Sequence, residues 1–356
     1  MAAQTVTLQD KYLGCITGAA AGDALGAAGE PLSTTQIMQI YGGRITDFVT
    51  PSEQSLSRGR KAGQVTDAFS IPYFLSQQLF LNHGQASRRA GEEALRQWGE
   101  SPWFGPFAGM TTRKVVNRLK QDDRQEMWSY AGHLGNKLFK GHYYALSSNG
   151  AAVKAWPAAL LHPGDVDAAI AAAVELTMAS HDDPLSISGA CAMAAAVSRA
   201  LDGNVTLYAI TEAAKYGAAE GEKQARARKD IWLYPGPSVS RRLDMSIDVA
   251  VKGDANAMEE LRDIIGSGPA VAETFPVAIG LLIANQGDVM AALLDGVNIG
   301  DETAAIASII GAIGGAWRGA GIFPKHYLTT VDQANDFDLK RFAGQWLGLL
   351  EQEKNG

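Results

Sequence analysis

Apolar residues recur along this chain at intervals of three and four, the spacing of an amphipathic α-helix. Residues 86–98 are a clear case, because their apolar side chains share one helical face and their Arg, Glu and Gln side chains share the other. The same criterion predicts helices at residues 11–25, 165–178, 184–201, 207–221, 240–251, 255–265, 271–284, 288–297 and 303–317.

Many of these predicted helices are rich in Ala and Gly, which lets helix axes approach closely. No fixed-period repeat, low-complexity tract or linker interrupts them, so we expect a single compact all-α domain over residues 1–356. Strand signals are sparse, and residues 44–49 are the best candidate. Residues 100–148, richer in aromatic residues, Gly and mixed charge, are expected to form a lid or an elaborated loop.

Composition narrows the class of protein. The chain has 356 residues, 46% of them hydrophobic and 19% charged, which is enough to bury a large core. Its net charge of −7 argues against nucleic-acid binding, which needs clustered cations. Two cysteines in apolar segments predict free thiols, and neither a signal sequence nor a membrane-spanning run is apparent. We therefore expect a cytoplasmic protein without a membrane or nucleic-acid partner.

Four segments place polar groups beside small residues at predicted helix ends. The first ends at Glu30, the second carries Thr66 and Asp67, the third is an Asn-Gly turn whose exposed N–H groups could bind an anion, and the fourth carries Asp301 and Glu302. Taken singly, each could be an ordinary helix cap. His181, beside two aspartates, could likewise be structural, and the other histidines lack metal-ligand spacing.

Six motifs in a fixed order are more specific: GAAAGDALGAAGEP, TDAF, SSNGAAVKAWPAALL, ASHDDPLSISGACAMAAAV, GSGPAVAETFPVAIGLL and NIGDETAAIASIIGAIGGAWRG. Together they resemble the ADP-ribosylglycohydrolase family, which includes the dinitrogenase-reductase-activating glycohydrolases and the J1 crystallins. The resemblance runs from about residue 12 to residue 319 and implies an all-α fold. It also implies two Mg²⁺ or Mn²⁺ ions in a cleft and hydrolysis at the anomeric carbon of ADP-ribose.

The resemblance assigns roles residue by residue. Glu30 falls on the acidic residue after the first Gly-rich turn, and Thr66 and Asp67 fall on the start of a Thr-Asp-Asp-Thr motif. The remaining positions imply substrate contacts: a loop that cradles the diphosphate and ribose, a histidine before the mid-chain helix, and a loop that borders the adenine. These substrate-binding residues are Ser148, Asn149 and Gly150 in the first loop, His181, and Gly268 and Glu273 in the last.

Departures from the family pattern concern the metals. Ala68 stands on the second Asp of the early motif, while Ala304 and Ala305 stand on an Asp and a Thr of the late motif. Hard divalent cations need about six oxygen ligands, and a two-metal site needs bridging carboxylates. The remaining set of Glu30, Thr66, Asp67 and Glu302 therefore predicts one Mg²⁺ or Mn²⁺ ion at most. The favoured prediction is that the protein holds no ion tightly.

The leading functional hypothesis is a hydrolase that cleaves a glycosidic bond at a ribosyl carbon of a small nucleoside-, nucleotide- or sugar-like substrate. Glu30 or Asp67 would activate water or stabilise the oxocarbenium-like charge, and Glu302 would protonate the leaving group. One alternative, which the resemblance to the crystallins implies, is a non-catalytic, ligand-binding or structural member of the same fold. A helical scaffold for partner proteins is a weaker alternative, because heptads and repeats are missing.

Overall fold

The computed structural model describes residues 6–105, 108–121, 147–231, 233, 235–253 and 255–355. These residues form seventeen α-helices and one 3₁₀ helix, Ala320–Ile322, but no β-strand. The α-helices are α1 Leu8–Gly26, α2 Thr34–Tyr41, α3 Asp67–Leu81, α4 Arg88–Trp98, α5 Met110–Lys120, α6 Gly150–Val153, α7 Trp156–Leu161, α8 Val166–Thr177, α9 Pro184–Leu201, α10 Leu207–Ala227, α11 Val239–Ala250, α12 Ala257–Ile264, α13 Val271–Ala284, α14 Val289–Asn298, α15 Thr303–Arg318, α16 Lys325–Asn335 and α17 Leu339–Asn355.

At the centre, α1 and α15 run antiparallel with their backbones in contact. Four glycines spaced four residues apart on α1 form one face, which we call the glycine seam. A Cβ added at any of them would lie 2.0–2.4 Å from a backbone oxygen of α15. Only glycine permits this approach. The facing pairs are Gly14 with Gly315, Gly18 with Gly311, Gly22 with Ala307 and Gly26 with Thr303.

Further helices pack around this pair. The long apolar helix α9 lies between α8 and α10, and Gly217 and Gly221 of α10 contact Cys191 of α9. By length and composition α9 is the one helix of the described chain that could cross a membrane, yet 94% of it is buried inside the protein. It is therefore the core helix of a single helical domain.

The predicted all-α fold is confirmed, and the differences lie at the ends of helices, at residues 34–49 and after residue 319. Helix α10 continues six residues beyond the predicted end, because Glu222 and Arg226 form an i,i+4 ion pair along it. Helices α2, α16 and α17 were not predicted. Helix α2 is short and begins with a capping box, in which Ser33 and Gln36 bond to each other's backbone N–H.

The predicted strand at residues 44–49 is wrong. The backbone of Ile45 pairs with a side chain instead of a neighbouring strand: Asn298 Oδ1 accepts from Ile45 N–H at 2.8 Å, and Asn298 Nδ2 donates to Ile45 O at 2.8 Å. Ile45 is buried in the core, so its β-branched side chain packs without a sheet. The amide at the end of α14 thus replaces the partner strand.

The predicted lid at residues 100–148 is only partly within the described chain. Helix α5, Met110–Lys120, occupies its middle and packs against α4. Residues 106–107 and 122–146 lie outside the described residues, so the lid stays a prediction.

Candidate active site

The ends of α1, α3, α6 and α15 surround a cavity of about 400 Å³. Glu30, Asp67 and Glu302 all line it, so the structure brings the three predicted catalytic carboxylates together. The lining also includes Thr66, Ser148, Asn149, Gly150, Lys154, Pro269 and the three alanines Ala68, Ala304 and Ala305.

The glycine seam positions two of the carboxylates. Glu30 follows the end of α1 and Glu302 precedes α15, and the Thr303 hydroxyl donates to Gly26 O at 2.7 Å where the two helices meet. The backbone of Glu30 is fixed in turn, because its carbonyl accepts from Ser55 Oγ at 2.9 Å and from Leu56 N–H at 2.8 Å. Both acids therefore stand on a rigid helix pair.

The third carboxylate is positioned by an aspartate that the sequence did not single out. Asp23 on α1 is fully buried and accepts from Thr66 N–H at 2.8 Å, Thr66 Oγ1 at 2.6 Å and Phe69 N–H at 2.9 Å. It thereby fixes the start of α3, where Asp67 is the first residue. A lone Asp between glycines in an apolar helix was the available signal, since a buried carboxylate needs such donors.

Burial raises the pKa of each carboxyl group. The pKa of Glu302 rises to about 7, with the amide of Asn149 opposing the shift and the charge of Asp301 adding to it. For Glu30, burial and then the charge of Glu302 raise the pKa well above its usual value. Burial also raises the pKa of Asp67, but the N–H of Gly109, at 3.2 Å, and the charge of Arg60 act in the opposite direction. The pKa of Glu302 is thus raised to near neutrality, whereas neighbouring donors and a cation counteract the rise at Asp67.

Hydroxyl, amide and imidazole groups form another part of the site. Asn149 Nδ2 donates to Glu302 Oε2 at 2.8 Å, and Ser148 Oγ lies 2.8 Å from His181 Nε2. His181 Nδ1 lies 3.1 Å from Lys154 Nζ and 2.8 Å from Ser180 Oγ. Lys154 also donates to Ser180, and burial lowers its pKa to about 7. Lys154 was not predicted; a lone Lys inside the apolar run AAVKAW was its signal.

Three predicted substrate-binding residues lie outside the cavity lining: His181, which is fully buried behind Ser148, and Gly268 and Glu273. Glu273 Oε2 accepts from Gly268 N–H at 3.2 Å, and Glu273 Oε1 lies 3.4 Å from the guanidinium of Arg242. These contacts hold the turn before α13, and only Pro269 from that turn reaches the cavity. Asp301 is exposed at a left-handed φ of 62° and faces a separate groove lined by Arg262.

Three positions of the cavity wall bear on whether divalent ions can bind. Ala68, Ala304 and Ala305 line the cavity with methyl groups, which cannot supply the oxygen ligands that a divalent ion needs. Nowhere in the described ranges do three or more His, Cys, Asp or Glu side chains come together as a metal-binding group. Glu302 is also engaged by Asn149. The prediction of one ion at most remains to be tested by titration.

Comparison with known proteins agrees with this architecture. The family model for ADP-ribosylglycohydrolase matches residues 4–355. The chain is 24% identical to the uncharacterised protein YegU of Escherichia coli over 94% of this chain and 95% of that one. It is also 24% identical to ADP-ribosylhydrolase ARH3 of Bos taurus, over 92% of this chain and 90% of the relative.

A solved structure titled "ADP-ribosylglycohydrolase-related protein complex" has the same fold. It matches with a TM-score of 0.64 and 17% sequence identity, covering 96% of this chain and 99% of that one. The family match extends past residue 319, so α16 and α17 belong to the matched region as well.

Proposed function

Because the chain belongs to the ADP-ribosylglycohydrolase family, we propose that it hydrolyses a glycosidic bond at an anomeric ribosyl carbon without a full two-metal centre. One observation carries the proposal. Three carboxylates from three separate parts of the chain converge on one cavity, in surroundings that favour different protonation states. Glycoside hydrolysis uses two acids whose surroundings push their pKa values apart, so that one is protonated and the other is charged.

The surroundings divide the work between the acids. With a pKa of about 7, Glu302 is partly protonated near neutral pH and has one oxygen held by Asn149, so it is the general acid for the leaving group. Asp67 accepts an N–H bond and feels the charge of Arg60, so it is the better anion. It activates water or stabilises the oxocarbenium-like charge. Glu30 is the poorer candidate for that role, because burial and the charge of Glu302 raise its pKa well above the usual value.

The cavity favours a small substrate. At about 400 Å³ it can enclose a ribosyl group with its immediate substituents, and Ser148, Asn149 and Gly150 supply polar contacts. We propose a nucleoside-, nucleotide- or sugar-like molecule as the substrate. The ADP-ribosylhydrolase names of two mammalian relatives make ADP-ribosyl compounds the first to test.

A hydrolysis screen tests the proposal. Purified protein is incubated with ADP-ribosyl-arginine, ADP-ribosyl-serine, nucleosides and small glycosides, with Asp67→Asn in parallel, and released ribosyl product is measured. We expect turnover of at least one compound by the wild type and little by the variant. Equal behaviour of both proteins on every compound would reject the enzyme in favour of a non-catalytic, ligand-binding member.

A further inference from the structure

Lys154 stands in a chain of side chains that ends at the cavity. Its Nζ lies 3.1 Å from His181 Nδ1, and His181 Nε2 lies 2.8 Å from Ser148 Oγ. His181 is fully buried and Lys154 is 5% exposed, so these contacts are shielded from bulk water. Ser148 lines the cavity itself.

When Lys154 is in its ammonium form, the chemistry of these groups sets the direction of the hydrogen bonds, and Ser180 Oγ, 2.8 Å from His181 Nδ1, can donate to the same nitrogen. A lysine ammonium has three donors and no acceptor, so a ring nitrogen that faces it must be unprotonated. A neutral imidazole then carries its proton on the other nitrogen, which here is Nε2 facing Ser148. Ser148 Oγ accepts the hydrogen bond from this Nε2–H, so the O–H of Ser148 can donate to another acceptor.

Gly150 leaves room for that donation. A Cβ added at Gly150 would lie 3.4 Å from Ser148 Oγ and 3.6 Å from His181 Cε1, which is ordinary van der Waals contact, so the glycine adds space beside the hydroxyl without being required there. With glycine there, the hydroxyl stays open to the cavity.

We infer that Lys154 is a positioning residue: it holds His181 as the Nε2–H tautomer, and this makes Ser148 a donor to an oxygen acceptor of the substrate. Asn149, next in sequence, is occupied by Glu302, so the two neighbouring polar side chains have different tasks. Only the last step, that the acceptor belongs to the substrate, rests on the proposed function.

Nitrogen-15 NMR of the histidine rings tests the tautomer without any assay of activity. Spectra are recorded at pH 6, below the pKa of about 7 of Lys154, and burial with the charge of Lys154 lowers the pKa of His181 well below its usual value. The His181 signal among the 6 histidines is assigned as the one missing from His181→Gln. We expect a proton on Nε2 in the wild type; a proton on Nδ1 would overturn the inference at once.

Two variants identify the group responsible. Lys154→Met removes the ammonium, and we expect the ring proton to move toward Nδ1, where Ser180 Oγ can accept it. Lys154→Arg keeps charge and donors, so we expect the wild-type tautomer. Ser180→Ala is the matched control and should also keep it. An unchanged tautomer in Lys154→Met, or a changed one in Ser180→Ala, would contradict the role of Lys154.

Binding of ADP-ribose, measured by calorimetry, tests the last step. Loss of one such hydrogen bond is expected to weaken binding about tenfold in Ser148→Ala and in Lys154→Met. If Lys154 acts through Ser148, the double variant binds no more weakly than either single variant. Additive losses would reject the coupling. If ADP-ribose does not bind the wild type, the proposed substrate class fails while the tautomer result stands.

Discussion

The glycine seam and the cavity wall are built from the same kind of residue for opposite reasons. In the seam, a glycine is required because a Cβ would meet the backbone of α15 at 2.4 Å or less. In the cavity wall, Ala68 and Ala304 are small where the family pattern has carboxylates, and their methyl groups face open space. Small residues therefore carry stability in one region and set the chemistry in the other.

The largest expected effect comes from filling the seam. Gly22→Val would place its Cβ 2.2 Å from Ala307 O, so the central helix pair must separate. We expect the free energy of unfolding in urea to fall by at least about 3 kcal/mol, a large share of a typical domain's stability. The control is Gly344→Ala on α17, where nothing lies within 4 Å and a gain of up to about 1 kcal/mol is expected. Equal effects would mean that the seam is not tight.

Changes at the cavity wall should leave folding intact and remove turnover. Glu302→Gln and Asp67→Asn are each expected to lower kcat by about 10²–10⁴-fold, the usual contribution of a general acid or base. Asp301→Asn is the matched control, because it removes an exposed neighbouring charge at a left-handed φ which Asn tolerates. Since that charge adds to the raised pKa of Glu302, we expect only a small loss of turnover. A similar loss in the control would remove Glu302 from its assigned role.

Stability against pH separates the two regions further. Folding raises the pKa of Glu302 from an unfolded value of about 4.3 to about 7, so between these pH values the folded state binds more protons. This group's stabilisation is present below about pH 4.3 and is lost as pH rises to about 7, at up to about 1.4 kcal/mol per pH unit. We expect the stability of Glu302→Gln to gain on that of the wild type over this range. A flat difference would show that Glu302 titrates normally.

A smaller and more local change should follow from restoring ligands. In Ala68→Asp/Ala304→Asp the cavity gains two carboxylates, and we expect Mn²⁺ to bind at least about tenfold more tightly than to the wild type. Calorimetric titration gives both affinity and stoichiometry. If the wild type binds two ions tightly, the prediction that the alanines of the cavity wall prevent a two-metal site is wrong.

The sequence predicted the helical framework because Ala, Gly and Leu periodicity is a local signal. It failed at residues 44–49, where the decisive partner, Asn298, lies about 250 residues away and acts through a side chain. In the site, the carboxylates at helix ends were found from their motifs. Asp23 and Lys154 were missed, because each is a single polar residue in an apolar run whose partners appear only after folding.

The four-residue spacing of the seam has a consequence for how this site can vary. Four residues of helix advance about 6 Å, so α1 and α15 fit only at discrete stops about 6 Å apart. Intermediate offsets bring Cβ atoms against backbone. The distance between Glu30 and Glu302 can therefore change only in steps of this size, and not gradually. A different reaction on this fold must therefore arise from substitutions of side chains at fixed backbone positions.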